Sequence, residues 1–477
     1  MAKPVTRFVC SDCGHDVLRW QGQCPACHAW NTLQEFKVGK TEGRGRGAGF
    51  RGAAQPGADR ATPRPVPLRE VASAREERLP VHPEEVARVL GGGLVAGSVT
   101  LLGGDPGVGK STLLTGLALD WVRRGIRVLY VAGEESPAQI RMRGERLGFD
   151  PKTEEGFAIL DEVELERVID ALDADRAAHP GPCVILADSV QTLHSREIDA
   201  FPGSVSQVRY CGGVLADHAR RSGRPVFLVG HVTKSGDLAG PKVLEHMVDT
   251  VLSFEGTGGG AIRMVRAVKN RFGATGELAV MEMAGDGLRP VDEAAALFLR
   301  GNRGDEPGTS VTAVRSGSRT FLVEVQALVS PSHYGTPQRV VQGVDSKRVA
   351  LLAAILEKRA GLDLAGCDLF VKVAGGARLD DPAADLAVCT ALASSLREVP
   401  VPPDTLVVGE VGLTGDVRDV AERAARLKEA SRLGFKRAVA AAGAKPKARE
   451  QGLQLQAVTS LDEAVALALS RARPARG

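Results

Sequence analysis

From about Leu68 to Pro290, apolar strand-like runs alternate with stretches of helical character, and this rhythm predicts a mainly parallel sheet covered on both faces. Strands are predicted from Ser98 to Leu102, Arg127 to Ala132, Val184 to Ser189, Pro225 to Gly230 and Ile262 to Val268. Helices are predicted from Ser111 to Arg124 and from Pro137 to Leu147. Beyond Val291 the rhythm changes. Short strands from Thr312 to Val314, Thr320 to Leu328 and Asp368 to Val373, with a helix from Ser346 to Arg359, suggest a separate α+β domain.

Between the first of those strands and its helix lies Gly104-Asp105-Pro106-Gly107-Val108-Gly109-Lys110-Ser111, followed by Thr112, which satisfies the P-loop pattern. Glycine is required there because backbone N–H groups wrap the phosphates at close range, where a side chain at Gly107 or Gly109 would obstruct them. Lys110 is placed to reach the β- and γ-phosphates of ATP, and the Ser111 hydroxyl to ligate Mg2+. The helix that follows presents its N-terminus to the same anion.

The strand ending at Ala132 runs into Gly133-Glu134-Glu135-Ser136, whose carboxylates stand at the carboxyl end of a strand beside the P-loop. Either Glu134 or Glu135 is a candidate to polarise the attacking water. The strand ending in Asp188 has the form of a Walker B element, which makes Asp188 the second magnesium-holding residue, directly or through water. His231 to Lys234, after the next strand, form a polar cluster suited to sensing a γ-phosphate, although local hydrogen bonding explains His231 as simply. Two polar, glycine-containing loops, Leu193 to Ser206 and Ser235 to Lys242, are expected on that same edge of the sheet and are candidates to grip a single strand.

Length and composition add three things. At 477 residues the chain exceeds one ordinary core. With 61 Lys and Arg against 58 Asp and Glu the net charge is only +3, so contact with nucleic acid must come from local patches. Aromatic content of 4% offers few stacking platforms, so single-strand binding is expected to rest on phosphates, without sequence preference, and to weaken with salt. No apolar run approaches the roughly 20 residues of a membrane span, and the N-terminus lacks a signal peptide's apolar centre. The expectation is a cytoplasmic protein with no membrane partner.

The spacing Cys10-x-x-Cys13, ten residues, Cys24-x-x-Cys27 supplies four thiolates to one tetrahedral Zn2+. So small a segment cannot bury enough core without such a staple, and Trp20 and Trp30 are available to pack against it. His28 adjoins Cys27, but four thiolates already close a structural site. The remaining cysteines, Cys183, Cys211, Cys367 and Cys389, stand among apolar neighbours as reduced core thiols. From Gly39 to Pro67 the chain is Gly, Arg, Ala and Pro, a flexible tether whose arginines (Arg44, Arg46, Arg51, Arg60, Arg64) are candidate phosphate contacts or simply solvated.

The four-Cys head, GDPGVGKST at 104–112, GEES at 133–136, LADSVQT at 186–192, GHVTK at 230–234 and KNRFG at 269–273 together resemble the bacterial RadA (Sms) DNA repair family. The resemblance covers essentially the whole chain. It implies an α/β fold: a RecA-like P-loop ATPase core with a small N-terminal zinc finger and a C-terminal α+β Lon-protease-like domain. The corresponding boundaries are a zinc finger at 1–38, a tether at 39–67, the ATPase core at 68–290 and the Lon-like domain at 291–477.

The resemblance also implies a homo-hexameric ring that acts on single-stranded DNA and branched recombination intermediates beside a recombinase of the RecA type, extending them by branch migration. KNRFG places Lys269 and Arg271 at the interface between subunits, where a cation entering a neighbour's site would stabilise the transferring phosphoryl group. In the C-terminal segment, Ala384 stands where Lon carries its serine and Ala424 where it carries its lysine. A Ser/Lys dyad needs both, so no such peptidase chemistry is expected. Lys347, Arg348, Lys358, Arg359 and Lys372 are candidate DNA contacts there, although helix-face solvation accounts for most of those charges.

Overall fold

The computed structural model describes residues 5–10, 16–17, 19–25, 30, 33–38, 67, 78–231, 242–256, 260–291, 296, 299, 306–332, 337–376, 379–443 and 448–470. Cys13, Cys27, His28, the tether except Pro67, and residues 232–241 lie outside them, as do the side chains of Cys10 and His231. The chain divides into two compact units, Met1–Gly256 with Ala261–Pro290, and Thr257–Gly260 with Val291–Gly477.

At the N-terminus, strand Val5–Cys10 pairs antiparallel with both Asp16–Val17 and Leu33–Val38. Cys24 and Leu33 are buried there against Phe8 and Val17. The two tryptophans do not join that core. Trp20 is 58% and Trp30 69% exposed, Trp30 lying beside Gly22, so the packing for which they were available is not what the fold uses.

The rest of the first unit is built on a nine-stranded sheet. In spatial order its strands are Gly287–Pro290, Leu278–Ala284, Ile262–Asn270, Thr250–Gly256, Val99–Gly104, Val226–His231, Cys183–Asp188, Arg127–Ala132 and Phe157–Leu160. Those from Thr250–Gly256 to Phe157–Leu160 run parallel, and the other three extend the sheet antiparallel. The central parallel strands are packed on both faces, which is why they read as unbroken apolar runs. Leu102, Val128, Tyr130, Val184 and Leu186 face helices Glu84–Val89 and Lys110–Arg123. Leu101, Leu129, Val131, Ile185 and Ala187 face helices Leu165–Ala178 and Val205–Ser222. Burial pushes the Cys183 thiol up to about 11 and the Cys211 thiol up to about 12, which makes both poor nucleophiles.

Two local boundaries differ from the sequence reading. The strand expected to stop at Val268 continues to Asn270, because Lys269 and Asn270 still pair with Val251 and Thr250, so KNRFG begins inside the sheet. The expected loop from Leu193 to Ser206 ends two residues early, where Ser204 caps helix Val205–Ser222 by accepting from Gln207 N.

The second unit carries an eight-stranded mixed sheet, with helices Ser346–Ala360, Asp385–Arg397, Arg423–Arg432 and Leu461–Ala468. Val311, Ala313, Leu322, Leu406, Leu427 and Phe435 share its core. Ala384 is buried just before helix Asp385–Arg397, whereas Ala424 is exposed on helix Arg423–Arg432. The hydroxyls of Ser394 and Ser395 are taken up by backbone, accepting from Gly308 N and Val329 N at 2.9 Å each. Arg348, one of the candidate DNA contacts, donates to Asp385 Oδ1 at 2.5 Å, while Lys347, Lys358, Arg359 and Lys372 are exposed.

Candidate nucleotide site and the cations on the far edge of the sheet

Strand Val99–Gly104 delivers the P-loop at its carboxyl end, and helix Lys110–Arg123 starts one residue earlier than its sequence suggests. Gly104 has no room for a side chain: a Cβ would sit 2.3 Å from Phe254 O on the neighbouring strand. Gly107 and Gly109 adopt φ of +75° and +109°, conformations in which an L side chain is strained. A Cβ on Gly107 would meet nothing within 4 Å, so the protein leaves open the space into which phosphates would fit. Asp105, Pro106 and Gly107 are exposed and Val108 is buried, with Val108 O accepting from Arg263 Nε at 2.8 Å.

Lys110 is 5% exposed, and its ammonium donates to Gly104 O at 2.8 Å and Asp105 O at 3.0 Å. Burial lowers its pKa, while the charges of Asp188, Glu134 and Asp105 oppose that shift. Thr112 follows on the first turn of the helix.

Asp188, 5% exposed at the end of strand Cys183–Asp188, accepts from Tyr130 Oη at 2.5 Å and is hydrogen-bonded to the Ser111 side chain. Burial raises its carboxyl pKa. The Tyr130 and Ser111 bonds pull it down, and the charges of Glu134 and Glu135 push it up again. A hard divalent cation favours oxygen donors with a carboxylate among them, and Ser111 with Asp188 supplies that set. Lys110, the open backbone cradle and this oxygen pair therefore fit a magnesium nucleoside triphosphate.

The two glutamates occupy different surroundings. Glu134 accepts from Ser189 Oγ at 2.5 Å, and its charge acts on both Lys110 and Asp188. Glu135 is paired with Arg143 at 2.5 Å. Among the described residues, Glu135 Oε2 and Arg143 Nη1 are buried without a further partner. The backbone of His231 pairs in register with Gly104, which sets residue 231 beside the P-loop.

The loop after Asp188 is held from below by buried Gln207, whose amide donates to Ser195 O at 3.0 Å, Ile198 O at 2.9 Å and Ala200 O at 3.0 Å. Its cation Arg196 is occupied by Glu164 at 2.5 Å, and Glu197 and Asp199 are exposed. What the loop presents outward is Phe201, 86% exposed.

Lys269 and Arg271 are not brought to this site. Asp249 N donates to Val99 O at 3.0 Å, so Asp249 sits at the start of the strand whose other end carries the P-loop. Arg271 Nη1 reaches Asp249 Oδ1 at 3.0 Å, and Lys269 Nζ donates to Glu245 O at 2.5 Å and Val248 O at 2.8 Å. The five steps from Val99 to Gly104, at roughly 3.3 Å each, separate that edge from the P-loop by about 17 Å. Tyr130, Arg143 and Asp249 were not singled out from the sequence. Tyr130 carried one faint signal, a hydroxyl inside an apolar run just ahead of two glutamates. Asp249 carried none, because strand Thr250–Gly256 was not anticipated.

Of the four cysteines, Cys24 is described and buried, Cys10 ends its strand, and Cys13 and Cys27 lie outside the described residues. Residues 8–35, which span all four, match the family described as a rubredoxin metal binding domain. Residues 62–237 match the AAA domain family, and residues 359–471 the C-terminal proteolytic domain of Lon protease (S16). Over nearly its full length the chain is similar to proteins named DNA repair protein RadA. That of Bacillus subtilis (strain 168) is 43% identical over 470 residues, covering 98% of this chain and 100% of the relative. That of Pseudomonas aeruginosa is 45% identical over 465 residues, covering 98% and 99%. That of Aquifex aeolicus is 42% identical over 474 residues, again covering 98% and 99%.

Proposed function

Because the chain belongs to the bacterial RadA DNA repair family, we propose that it is a DNA-dependent ATPase working as a ring-shaped motor on recombination intermediates. The observation that carries this reading is the separation of Lys110 from Lys269 and Arg271 along one strand. Cations on the far edge of the sheet cannot complete their own subunit's site, but they can enter that of a neighbour. Head-to-tail lending of this kind is a heterologous contact that forms a ring when its rotation closes, here taken as a homo-hexamer.

In this reading Lys110 would neutralise the β- and γ-phosphates, while Ser111 and Asp188 would hold Mg2+, which would supply counter-charge to the phosphates. Glu134 orients the attacking water, since its field already reaches Lys110, whereas Glu135 is engaged by Arg143. Lys269 and Arg271 from next door stabilise charge on the transferring group. Cys10, Cys13, Cys24 and Cys27 hold a structural Zn2+. The Lon-like domain scaffolds the ring, with Ala384 and Ala424 leaving no nucleophile or base for peptide cleavage.

Single-stranded DNA lies against the carboxyl edge of the sheet, where the loop after Asp188 offers it Phe201 for base stacking. Branched intermediates prepared by a RecA-type recombinase are the substrates, and branch migration is the outcome. The test is ATP turnover with and without single-stranded DNA, together with strand displacement on forked DNA. Stimulation by DNA that disappears in Lys110→Ala, with directional displacement, supports the motor. DNA stimulation without displacement points instead to a nucleotide-switched scaffold. Equal turnover with and without DNA, retained in Lys110→Ala, would end the reading.

A further inference from the structure

Asp249 is 8% exposed and makes four hydrogen bonds that tie two distant pieces of chain together. Toward the P-loop strand, its N–H donates to Val99 O and its Oδ2 accepts from Val99 N, both at 3.0 Å. Toward the KNRFG segment, its Oδ1 accepts from Arg271 Nη1 at 3.0 Å and its carbonyl accepts from Arg271 N at 3.1 Å. Val99 is the first residue of the strand that ends in Gly104. A single carboxylate thus grips the base of the P-loop strand with one oxygen and the Arg271 guanidinium with the other.

We infer that Asp249 is a positioning residue that transmits the nucleotide state of one subunit to the cation that subunit lends its neighbour. This rests on the reading of Lys269 and Arg271 as interface cations. A parallel strand buried on both faces moves as a rigid element, so a displacement at Gly104 when phosphates bind or leave is felt at Val99. Asp249 converts that displacement into a shift of Arg271, whose side chain is 56% exposed and held at its inner edge by this carboxylate. Lys269 moves with it, because its carbonyl partners Glu245 and Val248 lie four residues and one residue before Asp249. Successive sites in the ring are in this way coupled through a path inside each subunit. If Asp249 served only to pin the start of the strand, its loss would damage its own P-loop instead.

Mixing copies of the full chain separates these possibilities. Asp249→Asn keeps an amide oxygen for Val99 N and removes the charge that aims Arg271. Turnover with DNA is expected to fall about a hundredfold, the cost of misplacing a reacting group by about an ångström, with the KM for ATP within about twofold. Added to Glu134→Gln copies, which bind ATP without turning it over and retain Asp249 and Arg271, the variant is expected to regain activity, because its intact P-loop then receives a cation aimed by a nucleotide-bound neighbour. Arg271→Ala mixed with Glu134→Gln is the reference. If the reference pair recovers and the Asp249→Asn pair does not, Asp249 serves its own site and the inference is overturned while the interface reading stands. If neither pair recovers, the interface reading falls and takes the inference with it. Wild-type turnover by Asp249→Asn alone also overturns it. Should that variant fold poorly, Asp249→Glu, which keeps the charge but displaces the guanidinium, is read in the same mixtures and is expected to give the same recovery.

Discussion

Tyr130 Oη donates a 2.5 Å hydrogen bond to Asp188 Oδ2, between neighbouring parallel strands and at the floor of the phosphate cradle. The phenol is buried and its own pKa is driven upward, first by burial and then by the adjacent carboxylate, so it remains a donor at any physiological pH. It holds Oδ2 of the carboxylate that is also hydrogen-bonded to the Ser111 side chain. Tyr130→Phe preserves the packing and deletes this donor. The magnesium concentration that half-saturates nucleotide binding is expected to rise about tenfold or more, read by titrating Mg2+ against a fluorescent ATP analogue without hydrolysis. An unchanged midpoint would show that the phenol orients nothing.

The two glutamates after strand Arg127–Ala132 are expected to separate kinetically. Glu134→Gln should lower turnover by at least about a hundredfold, the usual scale for a lost proton acceptor, and leave ATP binding near normal. Glu135→Gln, which weakens the Arg143 pair, should cost much less turnover. Single-turnover measurements under saturating ATP decide between them, and the reverse ranking would exchange their roles.

Gly107→Ala distinguishes a foldable P-loop from a working one. Its Cβ would meet no protein atom within 4 Å, but φ is +75°, a conformation that costs an alanine roughly 1 to 2 kcal/mol. A small drop in melting temperature is expected beside near-complete loss of ATP binding. Differential scanning fluorimetry with and without MgATP checks both: the wild type shifts upward with nucleotide and the variant does not.

In the second unit, Arg426 is 3% exposed and binds Asp381 Oδ2 at 2.6 Å. Burial alone would raise the Asp381 carboxyl. The Arg426 guanidinium and the N–H groups of Arg315 and Ala383 outweigh it and hold the pKa below its ordinary 3.8. A lowered carboxyl pKa contributes stability that is complete above the unfolded value and is lost as pH falls through the folded one. Asp381→Asn is therefore expected to destabilise this unit at pH 7 by about 3 kcal/mol, since it leaves a buried guanidinium without its counter-charge. It should also flatten the loss of stability below about pH 4. Calorimetry of the full chain from pH 7 to pH 3 reads both effects, and an acid limb as steep as the wild type's would refute the assignment.

Much of the nucleotide site was legible because its requirements are local. Eight consecutive residues carry the left-handed turns, the lysine and the hydroxyl, and the flanking runs announce a strand before and a helix after them. Asp188 was legible for the same reason, as a carboxylate closing an apolar run. Other features were not. Trp20 and Trp30 were available to pack against the ribbon and both lie exposed, since hydrophobic character alone does not say which aromatics a small core takes up. The KNRFG segment was placed after its strand, because nothing in Lys269 and Asn270 reports that Val251 and Thr250 wait to pair with them.

The order of residues thus settles what depends on neighbours along the chain: the cradle, the apolar strands and the absence of a Ser/Lys pair at Ala384 and Ala424. Folding alone settles which far-apart groups meet. Tyr130 finds Asp188 across 58 positions, and Val99 finds Asp249 across 150. The cause is the pairing of strands in a sheet, where register and crossover, set by the burial of two faces at once, decide each meeting and leave no periodicity in the sequence to read.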